Sequence, residues 1–182
     1  STDYSAEENA SWHLAGYQSI RNTLAQMAAD NDPRDVTEGR LKVAAAMFGQ
    51  IKGEEERAQQ CLVLAEQAQQ KAIYEKASRR RMEIGMPNLT DAADLEACAK
   101  QFGQIPGYKD AKKRAEQCLQ DAENARETVY NDAVEAMQEA EKGNFSFKWK
   151  KAIGMLAREG LNGYRDVEEL RKKAEQRRKE CE

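Results

Sequence analysis

Apolar residues recur at intervals of three and four in three short stretches of the chain. This spacing places them on one face of a helix. The first two stretches share the sequence Phe-Gly-Gln-Ile, at residues 48–51 and again at residues 102–105. In the third stretch, Trp149, Ala152 and Leu156 stand where this repeat requires apolar residues. The pattern predicts three equivalent amphipathic helices near residues 37–51, 90–104 and 146–159.

A second helix is expected after each short one. The segments 54–84 and 108–142 contain neither glycine nor proline, so each is predicted to form one long helix. Loops are expected at residues 31–33, 85–88 and 142–144, where Asn, Asp, Gly and Pro cluster. Thr37, Thr90 and Ser146 follow these loops and are the expected N-caps of the short helices.

The turn between the helices also repeats, as Gly-Tyr-Lys-Asp at residues 107–110 and Gly-Tyr-Arg-Asp at residues 163–166. The glycines are expected to adopt the left-handed conformation of a helix C-cap. Asp110 and Asp166 are expected either to cap the next helix or to place negative charge in its first turn. The rings of Tyr108 and Tyr164 should pack between helices, with each hydroxyl bonded to a backbone group. Tyr17, Tyr74 and Tyr130 lie about one period apart, each at the expected start of a helical stretch.

Together these patterns predict an all-α fold without strands. The chain should form an α-solenoid of about seven helices in three imperfect repeats of about 56 residues. The repeats are placed at about residues 5–61, 62–118 and 119–182, within a single domain 1–182. The first helix, with Leu14, Tyr17, Ile20 and Leu24, and the last are expected to expose apolar faces through which copies of the chain could associate.

Composition modifies this picture only slightly. Charged residues make up 34% of the chain and the mean hydropathy is -0.90, which approaches a disordered composition. Periodic apolar positions and abundant alanine favour an elongated helical array instead. The net charge of -3 disfavours nucleic acid or an anionic membrane as a general partner. No membrane span or leader is expected, and the missing Met and uncapped last helix suggest a fragment of a longer chain.

Catalytic and metal chemistry find little support in the sequence. The four cysteines, at 61, 98, 118 and 181, form no C-x-x-C pair, and the lone histidine is His13. Cys61 and Cys118 occupy the same repeat position and are expected to be small buried apolar residues. We therefore expect no enzyme activity, no cofactor and no metal, and a reducing cytoplasmic location.

Two basic clusters leave an alternative open. One comprises Arg79, Arg80 and Arg81 at the end of a long helix, where cations favour the negative end of the helix dipole. The other comprises Lys148, Lys150 and Lys151 around Trp149, which is expected in the core. If these clusters share a face, they could bind nucleic acid or another anionic partner.

The motif Ala-x-x-x-Phe-x-x-Ile, Gly-Tyr-Lys-Asp-Ala and Ala-x-x-Cys is best formed in residues 98–118, where Cys98 replaces the first Ala, with partial copies at 44–61 and 152–174. It resembles a divergent tetratricopeptide-repeat-like family of Gram-positive bacterial proteins. The resemblance implies a superhelical scaffold that binds other proteins, often joined to further domains, and brings no catalytic residues. The period here is longer than the standard one of about 34 residues.

The favoured function is accordingly a non-enzymatic scaffold that binds a peptide or helix of a protein partner. Its expected contacts are exposed residues in and after the short helices, namely Gln50, Lys100, Gln104 and Arg158. The alternatives are a helical nucleic-acid-binding protein and a self-associating structural element.

Overall fold

The computed structural model describes residues 38–143 and 145–181, together with Gly16 and Ser19. These residues form six α-helices and two short 3-10 helices, and no strand occurs among them. The all-helical class predicted from the sequence is confirmed. The expected first helix, with Leu14, Tyr17, Ile20 and Leu24, lies outside the described residues. None of the described helices combines the length and the apolar content needed to cross a bilayer.

Contacts group the chain into two compact units, Ser1–Ala72 and Ile73–Glu182. The first contains helix α1 (Glu38–Gly49) and the beginning of α2 (Glu55–Ile84). Its core joins three buried residues of α1 to Cys61 of α2, with Phe48 the largest of them. Gly53 links the two helices with a φ of 91°, in the left-handed region that favours glycine.

The second unit contains the rest of α2 and four further α-helices. They are α3 (Ala92–Gly103), α4 (Ala111–Gly143), α5 (Ser146–Leu156) and α6 (Val167–Glu180), with 3-10 helices at Leu89–Asp91 and Glu159–Leu161. Helix α4 packs against both α3 and α5, and α5 packs against α6. Phe102 centres the cluster between α2, α3 and α4, and Trp149 centres the cluster between α4, α5 and α6.

Residues that match in the sequence repeat occupy matching core positions. Phe48 packs in one buried cluster with Ala44, Ala45 and Cys61. Their counterparts Cys98, Ala99, Phe102 and Cys118 pack together in another cluster. A third cluster contains Trp149, Ala152, Leu156, Val167 and Ala174. The apolar period therefore identified residues that meet in three dimensions, because each short helix lays the same face against the helix that follows it.

The ends of the elements differ from expectation at several points. Asn88, not Thr90, caps the 3-10 turn before α3, because its short amide accepts bonds from the Thr90 amide and hydroxyl at 2.8 and 2.6 Å. Ser146 is the first residue of α5 and not its N-cap. This helix ends at Leu156 instead of 159, and a 3-10 turn follows it. Thr37 lies outside the described part of the chain.

The two 3-10 helices of the second unit are in contact with each other. Gly160 lies so close to Leu89 that an added Cβ would stand 2.7 Å from the Leu89 Cδ1 and 2.9 Å from its carbonyl oxygen. Arg126 holds the same turn, since its Nε donates to the Gly160 carbonyl at 3.2 Å and its Nη1 to Glu96 at 2.6 Å. Glycine is therefore required here by a close approach of backbone.

Candidate functional site

The most elaborate side-chain arrangement of the second unit joins a long helix to the turn that follows the next short helix. The Tyr74 hydroxyl in α2 donates to Asp110 Oδ1 at 2.6 Å. The Tyr108 ring meets the Tyr74 ring edge-on, with centroids 5.5 Å apart. The ammonium of Lys109 lies 5.0 and 5.4 Å from these two ring centroids. We call these four residues the first tyrosine cluster.

The same arrangement recurs one repeat later. The Tyr130 hydroxyl in α4 donates to Asp166 Oδ1 at 2.7 Å, and the rings of Tyr130 and Tyr164 meet edge-on at 5.8 Å. The Arg165 guanidinium lies 5.2 and 5.0 Å from the two ring centroids. These four residues are the second tyrosine cluster. Edge-on rings and cations over aromatic faces are both attractive, so each cluster stabilises the contact between its helix and its turn.

The clusters differ in their outer contacts. In the first, Arg114 binds Asp110 through Nε, 3.1 Å from each carboxylate oxygen, and also donates to the Ser78 hydroxyl at 3.2 Å. In the second, the Tyr164 hydroxyl donates to Glu123 at 2.7 Å, and Arg165 binds Glu127 at 2.9 Å. The tyrosine–aspartate contact is thus common to both, whereas the ion pairs around it are specific to each.

These contacts shift several pKa values in the direction that each hydrogen bond favours. The bond from Tyr74, assisted by Arg114, lowers the pKa of the Asp110 carboxyl. Acceptance by Asp110 and Asp166 raises the pKa values of Tyr74 and Tyr130, because a phenolate could not donate. Burial, followed by the bond to Glu123, raises the pKa of Tyr164 to about 12. All of these shifts keep the tyrosines neutral and donating.

Sequence reasoning located these turns but assigned their residues differently. Asp166 makes no side-chain N-cap bond and instead accepts from Tyr130, and Asp110 accepts from Tyr74. The Tyr164 hydroxyl bonds a carboxylate and not the expected backbone group. Tyr74 and Tyr130 lie within long helices and do not begin them. The missed signal was spacing, since Asp follows Tyr by 36 residues in both copies.

The left-handed residues of the two turns agree with expectation only at Gly163. Gly163 has a φ of 71°, as expected of a glycine at this point, but Gly107 does not have a positive φ. Both turns instead share a non-glycine residue in this region, Lys109 at 48° and Arg165 at 46°. Such a conformation is unfavourable for a long side chain. Here it directs the cation over two tyrosine rings, whose attraction offsets the strain.

Most of the arginine cluster at the end of α2 is engaged within the protein. Arg80 binds Asp94 of α3 at 2.5 Å. Arg81 binds Asp121 of α4 at 2.7 Å and donates to the Gly85 carbonyl beyond the end of its own helix. Arg79 is exposed. Two of the three cations therefore join helices to one another, which the sequence could not reveal because their partners lie 14 and 40 residues away.

The lysine cluster presents a different environment. Trp149 is 1% exposed, so its expected place in the core is confirmed. Lys150 and Lys151 are exposed, and neither forms an ion pair with a carboxylate among the residues described. Lys148 lies 5.8 Å from the centroid of the Phe145 ring. Phe145 and Phe147, which sequence reasoning had not singled out, are 53% and 64% exposed and stack on each other.

The four residues expected to contact a protein partner are all exposed. Gln50 follows α1 in the first unit. In the second, Lys100 and Gln104 lie at the end of α3, and Arg158 precedes the second 3-10 helix. No hydrogen bond or ion pair joins their side chains to one another within the described ranges. The structure therefore leaves them free to contact a partner without identifying one.

Cys61, Cys98 and Cys118 are buried free thiols. Burial raises the pKa values of Cys61, Cys98 and Cys118, so each is held as a neutral thiol. Their positions in the apolar clusters match the role of small apolar residues expected for Cys61 and Cys118. Within residues 38–143 and 145–181, no group of His, Cys, Asp or Glu side chains is arranged to hold a metal ion.

The fold and these contacts define an all-helical protein whose turns are joined to its helices by repeated tyrosine clusters. Comparison of the chain with family models, with curated proteins and with solved structures finds no match.

Proposed function

We propose that this protein is a non-enzymatic scaffold that binds a peptide or helix of a protein partner on its helical surface. The observation that carries the proposal is the exposure of large apolar side chains on helices that are otherwise firmly packed. In the second unit Leu119, Phe145 and Phe147 are 52%, 53% and 64% exposed. Phe145 and Phe147 also stack on each other, and exposed apolar groups that cluster on a rigid frame are typical of interaction surfaces.

The packing supports a scaffold because it fixes the helices before a partner arrives. Repeated cores around Phe102 and Trp149 and the two tyrosine clusters hold helices and turns together. A surface that is already ordered loses little conformational entropy on binding. Repetition of the same contacts also supports the solenoid arrangement and the tetratricopeptide-like relationship, both of which we propose on this ground.

Lys100, Gln104 and Arg158 are the polar contacts that we propose for a partner of the second unit, and Gln50 is a separate polar contact that we propose for the first unit. Polar groups around an apolar centre provide orientation and specificity more than affinity. Because the free, buried thiols of Cys61, Cys98 and Cys118 suit a reducing compartment, we further propose that the protein functions in a cytoplasm.

Nucleic acid is the second candidate partner, favoured by the exposed Lys150 and Lys151. The expected second contribution, from Arg79 to Arg81, is weakened because Arg80 and Arg81 already bind Asp94 and Asp121. Association between copies is a third candidate, because Leu119 and Phe147 could be covered by a second chain as well as by another protein.

Site-specific photo-crosslinking tests the proposal. A photoreactive amino acid would replace Gln104, Leu119 or Phe147, and the same residue placed at exposed Lys113 would serve as a control for random encounters. The proposal expects one discrete adduct with another protein at one or more test positions and none at Lys113. Excess protein without the photoreactive amino acid should lower the yield of that adduct. The proposal would be rejected if adducts formed only between copies of this chain. It would also be rejected if no adduct formed while a small molecule raised the melting temperature.

A further inference from the structure

We infer that the beginning of α5 docks an acidic protein segment that carries apolar side chains. The docking surface consists of Phe145, Phe147, Lys148, Lys150 and Lys151, and we call it the aromatic–lysine surface. This inference rests on the proposed function, since it specifies the chemistry of the partner that a scaffold would bind.

The two phenyl rings form one apolar projection. Their centroids are 5.6 Å apart and their planes are inclined by 30°, so the rings stack on each other. Gly143 makes room for this arrangement, because a Cβ there would stand 2.9 Å from Cδ2 of Phe145. The two residues are still 53% and 64% exposed. An apolar partner side chain laid against the pair would remove this surface from water.

The buried face of α5 prevents this helix from rotating to bury the phenyl rings. On the opposite side of α5, Trp149, Ala152 and Leu156 are 1%, 0% and 1% exposed and pack in the cluster between α4 and α6. Turning α5 to bury Phe147 would bring Trp149 into water, which would be far more unfavourable. The exposure of Phe147 is therefore enforced by the fold.

The charge around the rings is positive. Helix α5 carries three lysines and no aspartate or glutamate, although the chain as a whole has a net charge of -3. Lys148 is near Glu139, which already binds Lys142 at 2.7 Å. Lys150 and Lys151 form no ion pair within the part of the chain that the structure describes. Lysines beside exposed phenyl rings are complementary to a segment that alternates acidic and apolar residues.

The ring geometry favours such a segment over single-stranded nucleic acid. Aromatic side chains that bind single strands offer separate faces on which successive bases stack. Phe145 and Phe147 stack on each other instead, which leaves no room for a base between them. They form a compact knob that fits between side chains of a peptide.

Fluorescence anisotropy with defined probes tests the inference. The test probe is a short labelled peptide in which glutamates alternate with leucines. One control peptide has glutamine for each glutamate, and another has serine for each leucine. Oligothymidine and phosphatidylserine vesicles are the nucleic-acid and membrane probes. The test peptide should bind the full chain best, and added salt should weaken the complex.

Paired variants make the result specific to this surface. Both Phe147→Ser and the double substitution Lys150→Glu with Lys151→Glu should weaken peptide binding by roughly tenfold or more. Lys112→Glu with Lys113→Glu changes the charge equally at another exposed pair on α4 and should leave binding within about twofold. Circular dichroism and melting temperatures would establish that each variant is folded.

Three outcomes would overturn the inference. The first is that the test peptide does not bind, and the second is that its affinity falls equally in the Lys150/Lys151 and Lys112/Lys113 double variants. The third outcome is that oligothymidine or vesicles bind more tightly than the peptide and lose binding in the Phe147 and Lys150/Lys151 variants. These results are distinguishable from failure of the proposed function. If photo-crosslinking captures a protein at Gln104 or Leu119 but not at Phe147, the scaffold stands and only this docking surface is rejected.

Discussion

At the scale of single residues, stability depends on a few positions whose surroundings permit only one protonation state or one side-chain size. Tyr164 must stay neutral to donate to Glu123, and Gly160 must lack a Cβ because the Leu89 backbone lies against it. Both requirements come from contacts between residues that are distant in sequence. Both can be tested by the smallest possible change of side chain.

Removing the Tyr164 hydroxyl should change the response to alkaline pH. Because the pKa of Tyr164 is raised to about 12 in the folded chain, against 10.0 for a free tyrosine, its contribution is complete below pH 10. That contribution is lost as the pH rises from about 10 towards 12. Tyr164→Phe should therefore show a shallower fall of melting temperature over this interval, and an identical fall would contradict the assignment. Phenolate absorbance of the wild type provides an independent titration.

Adding one methyl group to two glycines should have opposite effects. Gly160→Ala should lower the free energy of unfolding by about 1–3 kcal/mol, because its Cβ would overlap Leu89. Gly154→Ala, in the middle of α5 with no atom near the new Cβ, should raise it by about 0.5–1 kcal/mol. Denaturant titration measures both. Destabilisation by Ala at both positions would show that the close approach at Gly160 is not the cause.

At the scale of elements, sequence periodicity was sufficient to locate the helices and their buried faces. Helices α1 to α5 lie within a few residues of their predicted positions, and Phe48, Phe102 and Trp149 are all buried. Periodicity succeeded because burial repeats at the pitch of the helix. Helix ends were less predictable, since the cap at Asn88 depends on a 3-10 turn that has no apolar period.

The two faces of α5 should respond very differently to truncation. Trp149→Ala should destabilise the chain by about 3–5 kcal/mol, because Trp149 is 1% exposed within the core. Phe147→Ala, two residues earlier and 64% exposed, should change stability by no more than about 0.5 kcal/mol. Equal losses in thermal or denaturant unfolding would mean that Phe147 supports the fold and is not available to a partner.

At the scale of the whole molecule, sequence reasoning stopped at contacts between elements. It identified the repeated Gly-Tyr-[Lys/Arg]-Asp turns and the recurrence of Tyr74 and Tyr130, but not that these two tyrosines bind the turns. It grouped Arg79, Arg80 and Arg81 as one patch, although Arg80 and Arg81 bind carboxylates on α3 and α4. Such pairings depend on the register between helices, which a helical period does not determine.

The central claim is that one contact between helix and turn is used twice with the same geometry. Two double-mutant cycles test it most directly, one with Tyr74→Phe and Asp110→Asn and the other with Tyr130→Phe and Asp166→Asn. We predict a favourable coupling free energy of similar size in both cycles. Additive effects in either cycle, or couplings of opposite sign, would contradict the claim.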